Sequence, residues 1–167
     1  MNTAHWHMLL NHLPMVGIIV GTLILAAGFV LKNQPAVKIT ALGVFVFAAL
    51  MAIPSYLTGE GAEEIAEKLP GVTEGFIENH EDLGKIFLIL TESLGALALV
   101  TFLFLRLKSK LAPVLLGLVF ITAVGTSIFA KQVGTSGGQV RHTEIRNGNA
   151  PASETSTEQN GGVQEDD

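Results

Sequence analysis

The sequence predicts an all-α membrane protein: a four-helix transmembrane bundle with a short outer amphipathic helix and a disordered C-terminal tail. Two observations carry this reading. Apolar residues make up 49% of the chain and gather into four runs, at residues 15–31, 39–57, 86–105 and 111–130. Each run is close to the ~20 residues that a helix rising 1.5 Å per residue needs to cross a ~30 Å hydrocarbon core. Charge is also segregated between these runs. Lys32 and Lys38 in one short link, and Arg106, Lys108 and Lys110 in the other, give +5 with no acid; the amino end, residues 58–84 and the segment after Lys131 carry fourteen acids against Lys68, Arg141 and Arg146, or −11. By the positive-inside rule the basic links face the cytoplasm. The expected setting is therefore a bacterial inner membrane, crossed four times, with both termini and the long loop on the periplasmic side. The domains expected are residues 1–131 for the bundle, 132–148 for an outer cap segment and 149–167 for the tail.

The amino end has no basic stretch before its apolar run, so it reads as a first span that starts outside and not as a signal peptide. Asn11 suits an N-cap, with Pro14 harmless in the first turn, and Trp6 suits the headgroup level. Gly17, Gly21 and Gly28 leave one face of this span open to close helix packing. Asn33-Gln34-Pro35 makes a turn into the second span, which Pro54 kinks or ends. Beyond it, Ala62, Ile65, Ala66 and Leu69 form a helical stripe stopped by Pro70-Gly71, a short amphipathic helix on the outer surface.

The third helix is expected from a Thr73 cap, with Glu74 in its first turn, through to residue 105. A 3.6-residue period places Phe76, Ile77, Leu83, Gly84 and Phe87 around His80, and Glu74, Glu78, Glu81, Asp82 and Lys85 opposite. An inward imidazole must find a partner, because an unpaired buried polar group costs about 1 to 3 kcal/mol. Glu92 lies about eighteen ångströms below His80, at 1.5 Å per residue. An acid at that depth costs roughly 2.5 to 3.5 kcal/mol, so it belongs inside the bundle as a proton-relay group or a hydrogen-bonded packing residue. Small residues, Gly117, Gly125, Thr126 and Ser127, mark the fourth span. Residues 134–148 hold turn formers and both signs of charge and are expected to fold back over the outer face. Residues 149–167 lack the apolar content to fold.

The absence of cysteine excludes disulfides, iron–sulfur ligation, zinc thiolates and covalent c-type haem, and leaves haem held by histidine. There is no phosphate-binding glycine loop, HExxH, G-x-S-x-G or basic patch for nucleic acid. His80-Glu81-Asp82-Leu83-Gly84 has Gly84 where a zinc protease needs its second histidine. All five histidines, His5, His7, His12, His80 and His142, fall on the outer side. His12 and His80 begin helices whose positive dipole ends point outward, which favours neutral imidazole, the metal-binding form. Three readings follow. One is haem b near the outer leaflet, with His12 and His80 as axial ligands and His7 the substitute. Another is a zinc, iron or copper site built from His80, His142, Glu60, Glu63, Glu64 and Glu81. The third is a small non-catalytic membrane subunit or permease-like protein in which Glu92 moves protons. Against all of these stands a plain alternative, in which His12 and His80 only hydrogen-bond carbonyls at the outer ends of the second and fourth spans.

His7-Met-Leu-Leu-Asn-His12-Leu13-Pro14 resembles the H-P-x-x-x-H-F-P signature of a bacterial membrane family of unknown function, which also has four spans and a histidine entering the third. The resemblance covers roughly residues 6–130. Met8 replaces the first motif proline and Leu13 the phenylalanine, while both histidines stand. Some members of that family are joined to cytochrome c domains, so the resemblance implies a redox setting, with a periplasmic electron carrier or cytochrome as partner beside the lipid bilayer.

Overall fold

Four stretches of this chain, Thr3–Val30, Pro35–Leu57, Glu74–Arg106 and Ala112–Arg141, are helical, long and apolar enough to cross a membrane. In the computed structural model, which describes residues 2–31 and 34–146, they form an all-α bundle of a multi-pass membrane protein. The first stretch is two helices, α1 (Thr3–Leu10) and α2 (His12–Val30), separated only by Asn11. After α3 (Pro35–Leu57) come the short α4 (Gly59–Ala66), then α5 (Glu74–Arg106), α6 (Ala112–Arg141) and a 3-10 turn at Thr143–Ile145. Around the bundle α2 packs on α3, α3 on α5 and α5 on α6, and α6 closes on α2. The segments α1 and α4 pack on each other at the acidic end.

The burial pattern is that of a protein in lipid. Ile18, Leu25, Leu42, Phe45, Leu94 and Val119 fill the centre, yet Leu23, Ile89, Val114, Ile121 and Ile128 stand fully outward from the same helices. A water-facing bundle would carry polar residues at those outward positions. Four hydroxyls of the bundle are satisfied locally: Thr22, Thr101, Thr126 and Ser127 each donate to the carbonyl four residues back. A hydroxyl pair, Thr22 to Ser127 at 3.3 Å, also ties α2 to α6.

Thr73 stands at the N-cap of α5 with extended backbone and Glu74 follows it, as expected, although its hydroxyl makes no capping bond. The face forecast for His80 is present, with Phe76, Ile77 and Phe87 buried and Glu74, Glu78, Glu81, Asp82 and Lys85 exposed. Two expectations need correction. Asn11 does not cap with its side chain and lies between two helices, the first of them capped by Asn2, whose side-chain Oδ1 accepts from the His5 amide at 3.0 Å. Nor is there a separate cap segment from residue 132. Helix α6 runs on to Arg141, because its inward stripe (Ala123, Thr126, Ala130, Val133, Ser136) continues past the apolar run and packs against α5. Among the described residues, those that turn back are 142–146. There Arg146 reaches the carbonyls of Gln139, Val140 and Gly71 and lies 4.4 Å over the Phe76 ring. The tail at 149–167 lies outside the described residues.

Candidate functional site

Helix α3 ends at Leu57, where backbone amides become scarce for the carbonyls of its last turn, although the Thr58 amide still donates to Pro54 O at 3.1 Å. One of them finds a side chain from the other end of the chain: His7 Nδ1 lies 3.0 Å from Ser55 O. A carbonyl only accepts, so this bond fixes the proton on His7 Nδ1. The Thr58 hydroxyl, which donates to Pro54 O and Ser55 O, flanks the same nitrogen at 3.4 Å.

His80, from the second turn of α5, is fixed in the same sense by α6. Its Nδ1 is 2.9 Å from Ser136 Oγ, and Ser136 donates its own proton to Val133 O at 2.9 Å. With that proton engaged, the hydroxyl accepts from His80 Nδ1–H. Ser136 is 3% exposed, so this geometry is enclosed. Gly137 makes room for the ring: a Cβ there would come within 2.9 Å of His80 Cε1.

The two rings are neighbours. Their centroids are 6.4 Å apart and their planes close to perpendicular, at 83°. Each Nδ1 carries a proton to a fixed acceptor, and among the described residues neither Nε2 has a hydrogen-bond partner. This is the arrangement in which a metal-ligating histidine is oriented by its other nitrogen.

The other sequence candidates lie elsewhere. His12 is exposed, and its Nδ1 bonds Met8 O of the preceding turn at 3.3 Å, so the histidine brought to His80 is His7. His142 is exposed and pairs with Glu144 at 2.9 Å. The carboxyl of Glu144 is held below the usual range, first by its own backbone amide and then by His142. Glu60 and Glu64 are exposed, and Glu81 pairs with Lys85 at 3.1 Å. Glu63 is partly enclosed; desolvation, followed by the charges of Glu81, Glu67 and Glu60, pushes its carboxyl up. Among the described residues no group of three or more His, Asp or Glu side chains is placed to hold a metal ion. Glu92 is half-buried, with Oε1 enclosed and unpartnered, next to the fully buried and likewise unpartnered Thr91 hydroxyl. The groove of about 420 Å3 between α5 and α6, beside Asn79, Leu83, Lys131 and Ser136, is lined by no histidine.

Sequence reasoning ranked His7 below His12 and missed Ser55, Thr58 and Ser136. A signal was present. The inward stripe of α2, at Pro14, Ile18, Gly21, Leu25 and Gly28, extrapolates back two turns to position 7, and position 12 is off it. Compared with known proteins, the chain matches no family model, no curated protein and no solved structure.

Proposed function

We propose that the chain is an integral membrane redox protein that binds haem b near its acidic end through His7 and His80. The observation that supports this is the pair of neighbouring imidazoles, 6.4 Å apart between centroids, each with Nδ1 anchored and Nε2 without a hydrogen-bond partner among the described residues. His7 and His80 would suffice to hold haem, which histidine side chains alone can ligate, whereas zinc sites take three or four protein ligands. When bound, the haem supplies one-electron chemistry at its iron. The chain contributes orientation. Ser55 O and Ser136 Oγ hold both ring tautomers, and α4 packs on α1, which carries His7. The segregated charges support a bacterial inner-membrane location with both termini in the periplasm, where a periplasmic electron carrier or cytochrome is the matching partner.

The test is an absorbance spectrum of the full chain, purified from a host supplied with haem, oxidised and then reduced with dithionite. A low-spin signal is expected, lost or converted to high spin in His7→Ala and in His80→Ala and retained in His12→Ala and His142→Ala. A colourless protein overturns the proposal, and so does a signal that survives both substitutions.

A second reading rests on Glu92, whose enclosed, unpartnered oxygen suits a proton-relay group inside the bundle. Glu92→Gln keeps its shape and removes its titration. Unchanged proton-linked behaviour in reconstituted vesicles would leave Glu92 a packing residue.

A further inference from the structure

At the end of the bundle opposite the histidines, α3 begins and α5 ends side by side. Between them is a pocket of about 110 Å3 lined by Pro35, Lys38, Ile39, Leu105 and Arg106. Its walls are apolar and its two charged residues are both cations. Neither has a carboxylate within salt-bridge distance among the described residues, and the links at this end contain no acid.

Both cations are held in place. The Lys38 stem lies against Gly28, where a Cβ would come within 2.9 Å of Lys38 Cγ, and its ammonium sits 5.5 Å from the Phe29 ring centroid. The Arg106 guanidinium is 5.6 Å from the Phe102 ring centroid. Such contacts fix a cation at modest gain and leave its donors free for an anion. The pocket has room for a group on the scale of one phosphate. It also sits where two apolar helices leave the hydrocarbon. An occupant whose phosphate meets Lys38 and Arg106 can therefore lay its acyl chains along the outward apolar flanks of α3 and α5, which carry Leu50, Leu99 and Leu103. Basic pockets between spans take anionic lipid headgroups by this combination of charge and apolar contact.

We infer that this pocket is a binding site for the phosphate headgroup of an anionic phospholipid, held by Lys38 and Arg106. A free phosphate offers the same charge without the chains, so the two sources are separable. Full-length protein in detergent would be titrated with phosphatidylglycerol, phosphatidylcholine and inorganic phosphate, and bound lipid read by native mass spectrometry. Phosphatidylglycerol is expected to bind in preference to phosphatidylcholine. Each lost cation should weaken it roughly fivefold, and Lys38→Gln with Arg106→Gln together roughly thirtyfold. Lys110→Gln, outside the pocket, should match the unsubstituted chain. Equal phosphatidylglycerol affinity in the double variant overturns the site. Competition by inorganic phosphate at the lipid's own concentration overturns the lipid assignment. If the double variant loses its helical circular dichroism, Arg106→Gln decides alone, since Arg106 is exposed and its loss disturbs little packing; unchanged affinity there overturns the proposal.

Discussion

Gly137 lies against the imidazole of His80, so close that a methyl group at position 137 would come within 2.9 Å of His80 Cε1. The ring cannot simply swing away, because its Nδ1 is bonded to Ser136 one residue earlier on the same helix. Gly137→Ala should therefore displace the ring or push α5 from α6, at a cost of about 1 to 3 kcal/mol. Thermal unfolding would show the loss, and the 15N resonance of His80 Nδ1 would move. An unaltered resonance would mean that the helices absorb the methyl group without touching the ring.

The acceptors of the two histidines differ in kind. Ser136 is a side chain and can be removed; Ser55 O belongs to the backbone and cannot. Ser136→Ala should leave His80 Nδ1–H without an acceptor and cost about 1 to 3 kcal/mol. Thr58→Ala, which takes from His7 only a 3.4 Å contact, should leave the Nδ1 proton of His7 in place. Imidazole 15N chemical shifts report the tautomer at each ring and decide both expectations.

Arg146 fastens the last described residues to the acidic end through Gly71 O at 2.9 Å and the Phe76 ring. Arg146→Ala removes several bonds and a cation–π contact together, about 1 to 2 kcal/mol. Arg146→Lys keeps the charge and loses the forked donors, so it should recover only part. Faster hydrogen exchange at residues 71–77, with the remainder of α5 unchanged, is the expected signature.

Glu63 gives a pH dependence with a definite sign. Its folded carboxyl is raised above the ordinary value, first by desolvation and then by Glu81, Glu67 and Glu60. Its contribution to stability is therefore fully present below the unfolded pKa and lost as pH rises through the raised one. Glu63→Gln should hold α4 equally well on both sides of that window. Amide exchange in α4 at acidic and neutral pH should thus differ for the unsubstituted chain and little for the variant. A variant that loosens on raising the pH as the parent does would locate the titration elsewhere.

Much of the fold was legible in sequence because the signals for crossing a membrane are long and additive. Runs of 17 to 20 apolar residues leave little choice of element, and the alternation around His80 named its buried face. The limits of the helices were harder to read. Gly134, Gly137 and Gly138 have poor helix propensity, which argued for a turn, and packing of Val133 and Ser136 against α5 overrode it. The site suffered from the same cause. The same glycines predict a loop at Ser136, which hides it as the partner that an inward His80 requires. Beginning a helix favours His12 over His7, whereas the spacing to Pro14 and Ile18 is the better guide.

The orienting bonds and the pairing of the two rings belong to different levels of assembly. His7 is bonded to Ser55 within the first helical hairpin, α1 to α3, and His80 to Ser136 within the second, α5 to α6. The approach of the two rings crosses from one hairpin to the other. Each half of the chain can thus set the tautomer of its own imidazole before the halves meet, as expected when membrane helices form first and associate afterwards. What association adds is register. A slip of one turn between the hairpins, about 5.4 Å, would leave both histidines correctly bonded yet no longer neighbours, so their separation measures how the two hairpins have docked.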